Sequence, residues 1–354
     1  MAELAGFDAR LTPVIKGNGY GFTREVLAKE SARLNVQRIC VGTIYEVNSV
    51  APFFAGEIQV LEPVNVHDPL ASQQWREVLQ QHGDRIIATV ASTDVEFIAE
   101  LGARYVVIEL LTSMHRFGLK PQGVAHVVSR MPAGVQLRGF NLHLPIANPS
   151  VDDFAFNSPN GVKNQATKVQ EIVGWISWLR DIAIGNDSPI ALSISHTDFA
   201  DIQTIKNLAP NVSLDVRLGT SLWLGAGGAL KVTGTVLAVH DLEPGRKVGY
   251  TQSVGGKKLV IVSGGTSHGV ALSAPTTTTS LRRRGIAIVE GFAQAIGRVR
   301  SPFIYQGSNL YFAEPPHMHV SMLWCEEPGI AVGDELLCTV RNTTAHFDVV
   351  KGLD

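Results

Sequence analysis

The sequence predicts an α/β chain: a (β/α)8 TIM barrel followed by a mostly β C-terminal domain. Three observations carry this. Short β-branched runs alternate with helical segments through the first two-thirds of the chain, no long interruption divides those runs into two sheets, and after Gly225 the helical spacing gives way to apolar runs parted by Gly and Pro turns. A doubly wound sheet is the alternative for the first part. At 354 residues the chain suits one large domain and a smaller one, set at 1–225 and 226–354.

The eight expected strands are LTPVIK from Leu11, VQRICVGT from Val36, EIQVLEP from Glu57, DRIIATV from Asp84, RYVVIEL from Arg104, VQLRGFNLHL from Val135, PIALSIS from Pro189 and VSLDVRLG from Val212. Between them TREVLAKESARL, HDPLASQQWREVLQQHG, STDVEFIAELGA and TDFADIQTIKNLA have helical spacing, several opening on Ser, Thr or Asp as N-caps. In the second domain KVTGTVLAVHDLEPGRKVGY, KKLVIVSGG, GIAIVEG, HMHVSMLWCE and DELLCTVRN read as strands, and APTTTTSLRRRG from Ala274 as an exposed loop.

Composition excludes some functions. Charged residues make up 18 % and the formal net charge is -2, so neither a nucleic-acid footprint nor a disordered composition is present, and a small-molecule partner is expected. Cys40, Cys325 and Cys338 are too few and too scattered for a disulfide framework or a zinc knuckle. The first residues lack the pattern of a signal peptide and no run of 18 apolar residues occurs, so a soluble, cytoplasmic protein with no membrane partner is expected.

In a barrel, chemistry collects at the carboxyl ends of the strands. The run VIKGNGYGF puts Lys16 at the end of the first. The fifth strand leads to Arg116 in HRFG and the sixth carries His143; the seventh ends in Ser193, Ser195 and His196, and the eighth carries Arg217 before LGT. A lysine, two arginines, histidines and small hydroxyls suit an anionic ligand whose carbonyl can form a Schiff base.

These residues resemble the alanine racemase family, fold type III enzymes that use pyridoxal 5'-phosphate (PLP). VIKGNGYG is similar to the family's VVKANAYGHG, HRFG to GRLG, GFNLHLPIA to GLxTHFA and DVRLGTSLWLG to VRPGIALYG, in the family's order; GRKVGYTQSV and the late VGDEL also have counterparts. The resemblance implies that Lys16 is the Schiff-base lysine and a base on one face of the substrate, and that Tyr20, Gly219, Thr220 and Ser195 contact the phosphate. Ser193 and His196 are alternatives to Ser195. It further implies that Arg217 faces the pyridine nitrogen with His143 supporting it, and that Arg116 lies near the ring oxygen and the substrate carboxylate. Because an arginine keeps its proton, the ring nitrogen stays unprotonated, which suits racemisation more than transamination. Seven residues before Arg116, where many members carry a carbamylated lysine, this chain has Glu109, so an unmodified Glu109 to Arg116 pair is expected.

The departures cluster in the second domain. The family's second base is a tyrosine in GYADG, supplied by the partner subunit of a homodimer; VSGGTSHG places Thr266 at the tyrosine and His268 at the aspartate. Histidine is a residue type suited to proton transfer near neutral pH, so His268 is the expected catalytic substitute, with Tyr250, Tyr305 and Tyr311 as other candidates. Leu323 replaces an aspartate after Met322, and Phe347 stands where a phosphate-contacting tyrosine is common. The segment Leu281 to Pro316 has no clear counterpart. The expected function is therefore a PLP-dependent amino-acid racemase or epimerase acting on an amino acid other than alanine. Decarboxylation or elimination on PLP, and PLP binding without turnover, are the alternatives. The spacing in GNGYGF does not match the dinucleotide fingerprint. No metal is expected: His317 and His319 read as two ordinary histidines on one face of a strand.

Overall fold

A computed structural model describes residues 9–149, 167–182, 190–228, 230–255, 258–272 and 299–352. The loop from Ala274, the run GIAIVEG and the first part of the 281–316 segment lie outside the described residues. The chain divides into two compact units, Met1–Gly19 with Thr23–Trp223, and Tyr20–Phe22 with Leu224–Asp354. No helix among the described residues is long and apolar enough to cross a membrane.

The first unit is the expected barrel. Its strands are β1 (Ala9–Pro13), β2 (Arg38–Val41), β3 (Glu57–Pro63), β4 (Ile86–Val90), β5 (Tyr105–Leu110), β6 (Gln136–Leu142), β7 (Ile190–Ser195) and β8 (Val212–Leu218). All are parallel, in the order β1-β8-β7-β6-β5-β4-β3-β2. Capping boxes start two of the covering helices: Thr167 with Gln170 begins Lys168–Asp181, and Asp198 with Asp201 begins Phe199–Leu208. Asp68 caps Pro69–His82, where proline occupies the first turn. These helices bury Trp75, Val78, Ile172, Trp175, Leu179, Ile202 and Ile205, and that layer holds the apolar core.

The seam between β1 and β2 is thin. It consists of one bridge, Val14 to Cys40, and the hydrogen bond from Ile15 N to Cys40 O at 2.9 Å. At the amino ends of the strands a cleft lined by Arg10, Arg38, Glu57 and Asp215 opens beside it. Ion pairs span this end: Arg10 to Asp215 at 2.7 Å, Arg38 to Asp215 at 3.2 Å and Arg38 to Glu57 at 2.8 Å.

Inside the barrel the residues are unusually polar. Glu109, Asn141, Ser193 and Asp215 stand in register across β5 to β8, and Ser195, Arg217 and Thr12 across β7, β8 and β1. All seven are buried and alternate with buried Ile108, Leu142, Ile194 and Val216. A barrel interior is ordinarily filled by Val, Ile and Leu.

The second unit is a closed antiparallel barrel. Its strands are β9 (Thr233–Asp241), β12 (Lys258–Ser263), β13 (Arg300–Tyr305), β14 (Ser308–Phe312), β15 (Val320–Cys325) and β16 (Glu335–Cys338); the short pair β10 (Lys247–Val248) and β11 (Ser253–Val254) stands apart. β13 and β14 occupy the part of the 281–316 segment that lacked a counterpart. One expectation is corrected here: His317 and His319 precede β15 and are in a turn, not on a strand face.

Phe303 fills the centre of this barrel at 1 % exposure, against Val236, Val262, Leu310 and Leu336. The backbone is shaped to admit it, since a Cβ on Gly234 would lie 2.8 Å from Phe303 Cε1. Phe303→Ala should therefore cost about 3–5 kcal/mol, through lost transfer energy and the cavity left behind, read from denaturant midpoints against wild type.

Candidate active site

Lys16 lies three residues beyond β1, which ends at Pro13, and not in the strand as its sequence position suggests. The chain enters a turn in which Gly17, Gly19, Tyr20 and Gly21 have φ of 66, 64, 55 and 90°. Glycine accepts such backbone freely, and here it is also sterically required: a Cβ on Gly19 would lie 2.6 Å from Arg24 N. Tyr20 adopts the left-handed region without that freedom, a strain typical of functional turns.

Arg217 is buried on β8, and its Nη2 donates to Leu142 O at 2.8 Å. Just beyond it Gly219 O accepts the N–H groups of Leu222 and Trp223, starting the short helix Thr220–Trp223. The first N–H groups there have no intrahelical acceptor. Trp223 Nε1 donates to Val14 O at 2.8 Å, tying the last strand's exit to the first strand's.

The Arg116 loop is pinned on three sides. Leu119 N donates to Glu109 O at 2.9 Å and Leu111 N to Leu119 O at 3.0 Å, closing the loop on itself. Gly118 permits this at φ 123°, where a Cβ would lie 2.5 Å from Leu110 C. From the helix Lys168–Asp181, buried Glu171 accepts Ser113 N at 2.6 Å and Ser113 Oγ at 2.7 Å. Thr112 Oγ1 donates to His143 O at 2.6 Å. The Arg116 guanidinium itself lies over the Phe117 ring at 5.2 Å.

Two expected partnerships differ in the structure. Glu109 forms no ion pair with Arg116. It is buried in the polar row, near the Asn141 amide but outside hydrogen-bond geometry, while Arg116 stands on the loop beyond the strand end. Burial raises the Glu109 pKa, opposed first by the charge of Arg217 and last by that of Arg116. His143 likewise makes no hydrogen bond to Arg217; its Nδ1 lies 3.0 Å from Ser195 Oγ, and its ring meets that of His196 edge-on at 5.2 Å. The register of β6 and β7 brings their carboxyl ends side by side, which explains the pairing.

No carboxylate lies within ion-pair distance of Lys16, Arg116 or Arg217 among the described residues. The Lys16 amine has a lowered pKa, through burial and then the charges of Arg116 and Arg217; Glu46 and Cys40 oppose this. His143 is pushed down to about 3 by burial and then by Arg217 and Arg116, so its ring is neutral at physiological pH. His196 shifts downward through burial, then Lys168 and Arg217. The charges of the cleft at the amino ends are paired with one another. The unpaired cations stand at the carboxyl-end mouth, and there we place the site. Sequence reasoning missed Glu46, Glu171 and Thr112, whose contacts leave no periodic signal.

In the second unit, Thr266–His268 forms a 3-10 turn held by Thr266 N to His317 O at 2.8 Å and Ser267 N to Met318 O at 2.9 Å. Both ring nitrogens of His268 are engaged: Nδ1 accepts Gly265 N at 3.2 Å and Nε2 lies 3.3 Å from Asp348. Tyr250 is 86 % exposed and stacks on His317 at 4.9 Å, and His317 Nε2 meets buried Glu314 at 2.6 Å. Tyr305 donates to Pro328 O, and Tyr311 is on β14. Within the same unit a Cβ on Gly21 would lie 2.6 Å from Phe347 Cε2, so Gly21 fits the phenylalanine at the position where a tyrosine was expected.

The His143 shift has a pH consequence. Its folded pKa, about 3, is below the value of about 6.5 in an unfolded chain, so its contribution is present above pH ~6.5 and is lost as pH falls toward 3. Histidine NMR titration should find one ring, absent in His143→Asn, that does not protonate between about pH 5 and 8.

The model of the family described as alanine racemase, N-terminal domain, matches residues 1–202. No curated protein matches the chain. Among solved structures it is similar to an alanine racemase of Clostridium difficile 630, at 15 % identity and TM-score 0.63 over 95 % of this chain and 82 % of that one. The biosynthetic alanine racemase of Pseudomonas aeruginosa is similar at 17 % identity and TM-score 0.60, over 96 % and 87 %. An alanine racemase of Bartonella henselae with covalently bound pyridoxal phosphate is similar at 14 % identity and TM-score 0.62, over 96 % and 86 %. These neighbours share the barrel and the β domain, and with more than half of its length matched by the family model the chain belongs to the alanine racemase family.

Proposed function

We propose that the protein is a PLP-dependent racemase or epimerase of an amino acid other than alanine, working as a cytoplasmic homodimer. The observation that carries the reading is the mouth of the barrel: Lys16 stands there in the field of Arg116 and Arg217, beside a neutral His143.

The donor set fits the cofactor. Three cations without an ion-paired carboxylate suit an anion, Lys16 is an amine with a lowered pKa, and Ser195 Oγ with the N–H groups of Gly219 and Thr220 suit a phosphate. Tyr20 belongs to the same proposed contact set. Bound PLP supplies an electron sink for charge developing at the substrate α-carbon. Lys16 would hold the cofactor's aldehyde carbon until the substrate amine takes its place there, and the Nζ so freed would take or return the α-proton on one face. A lowered pKa leaves more of that amine unprotonated, the form that can accept a proton. Arg217 can donate to the ring nitrogen but cannot yield its proton, and Arg116 would orient the substrate carboxylate. On the other face we propose His268, which must exchange Asp348 for substrate at Nε2 to serve.

That engagement also favours a second reading. A decarboxylation or elimination needs one base only, and His268 has no free nitrogen in this structure.

Two measurements test this. Visible absorbance of the protein with PLP should respond to a panel of L- and D-amino acids and vanish in Lys16→Ala; a band unchanged in that variant removes the reading. With the responding amino acid, loss of optical rotation with deuterium entering the α-carbon supports racemisation, whereas release of carbon dioxide or ammonia replaces it with the second reading.

A further inference from the structure

We infer that Glu46 is a positioning residue for Lys16: one carboxylate ties the glycine after the lysine to the glycine that follows the neighbouring strand, closing the barrel seam and fixing the lysine's base together. The inference rests on the reading of Lys16 as the cofactor lysine.

Past the bridge from Val14 to Cys40, β1 and β2 have no further backbone pairing. Glu46 replaces it. Its Oε1 accepts Gly17 N at 2.9 Å and its Oε2 accepts Gly42 N at 2.7 Å. Gly42 makes room for this, because a Cβ there would lie 3.1 Å from both Glu46 Oε2 and Lys16 Cβ. The carboxylate and the lysine stem thus share one narrow space. The other side of the turn is held too, as Arg24 donates to Gly17 O through Nη1 and to Ser49 Oγ through Nε at 2.7 Å. Ser49 Oγ in turn donates to Glu46 O at 2.6 Å, so both peptide groups flanking Gly17 are anchored to the segment after β2.

The charges around Lys16 give Glu46 a second effect. Arg116, from the loop after β5, and Arg217, from β8, disfavour its ammonium form; His143 and His196 face it uncharged at physiological pH. Cys40, from β2, stays a thiol because burial pushes its pKa to about 11. Glu46 is then the one anion of the set that opposes the arginines. Removing its charge leaves the arginines unopposed, so the amine must lose its proton at lower pH.

The test uses the full-length protein without added cofactor, its lysines dimethylated with ¹³C-formaldehyde and titrated by NMR, the Lys16 resonance identified by its absence in Lys16→Ala. In Glu46→Gln the midpoint should fall by about one unit, a tenfold change in free amine at fixed pH. Glu46→Asp, which draws the charge back from the lysine, should lower it less, and it carries the test if Glu46→Gln does not fold. A wild-type midpoint in a folded variant overturns the inference. Because no cofactor is present, that result is independent of the Lys16→Ala absorbance experiment, which tests the reading of Lys16 itself.

Discussion

Gathering Lys16, Arg116 and Arg217 at one end of one barrel sets the terms for the rest of the structure. Like charges a few ångströms apart in a half-wet site repel by about 4 kcal/mol, comparable to a large fraction of a domain's net stability. The protein answers with carboxylates that are near but not bonded to the cations: Glu109 in the polar row below and Glu46 at the seam. A direct ion pair would occupy the guanidinium groups; a carboxylate held back leaves them able to bind an anion. This accounts for the polar interior, since a buried charge needs dipoles around it. Asn141, Ser193, Ser195 and Thr12 supply them, and the apolar core moves out to the layer between strands and helices, around Trp175 and Ile205.

The same device recurs wherever a functional loop must be fixed. Glu46 holds Gly17 and Gly42, Glu171 holds Ser113, and Glu314 accepts Thr251 N while meeting His317. Glycine-rich turns have no side chains with which to stabilise themselves, and their conformational freedom is a cost on folding. A carboxylate that accepts a backbone N–H offsets part of that cost with a charge-assisted hydrogen bond. Gly249 shows how closely the two are fitted, because a Cβ there would lie 2.4 Å from Glu314 Cδ.

These clamps are what the sequence concealed. The eight strands were legible because βα alternation repeats along the chain, and Arg116, His143 and Arg217 were legible because each follows or ends such a strand. The position of Lys16 was read slightly wrong: LTPVIK looks like one continuous strand, but β1 ends at Pro13, its last backbone pairing is the bridge at Val14 and the bond from Ile15 N to Cys40 O, and Lys16 opens the turn that follows. Pairing partners were harder still. Nothing in the spacing of His143 says that it meets Ser195 and not Arg217, because that contact depends on the register of β6 against β7. Glu109 was singled out by its match to the family's carbamylated lysine, seven residues before Arg116, yet it is the strand's inward face, not that interval, that decides its neighbours.

The remaining question, one base or two, can be narrowed from the barrel alone. His143 sits at a pKa of about 3, so it holds no proton to give at neutral pH and is too weak a base to take one efficiently. Arginine does not exchange its proton, which removes Arg116 and Arg217. Glu109 is buried in the polar row, and that burial raises its pKa. His196 is shifted down as well. Of these groups at the mouth, Lys16 is the one suited to moving a proton. In the second unit His268 is engaged at both ring nitrogens, and exposed Tyr250 rests on His317.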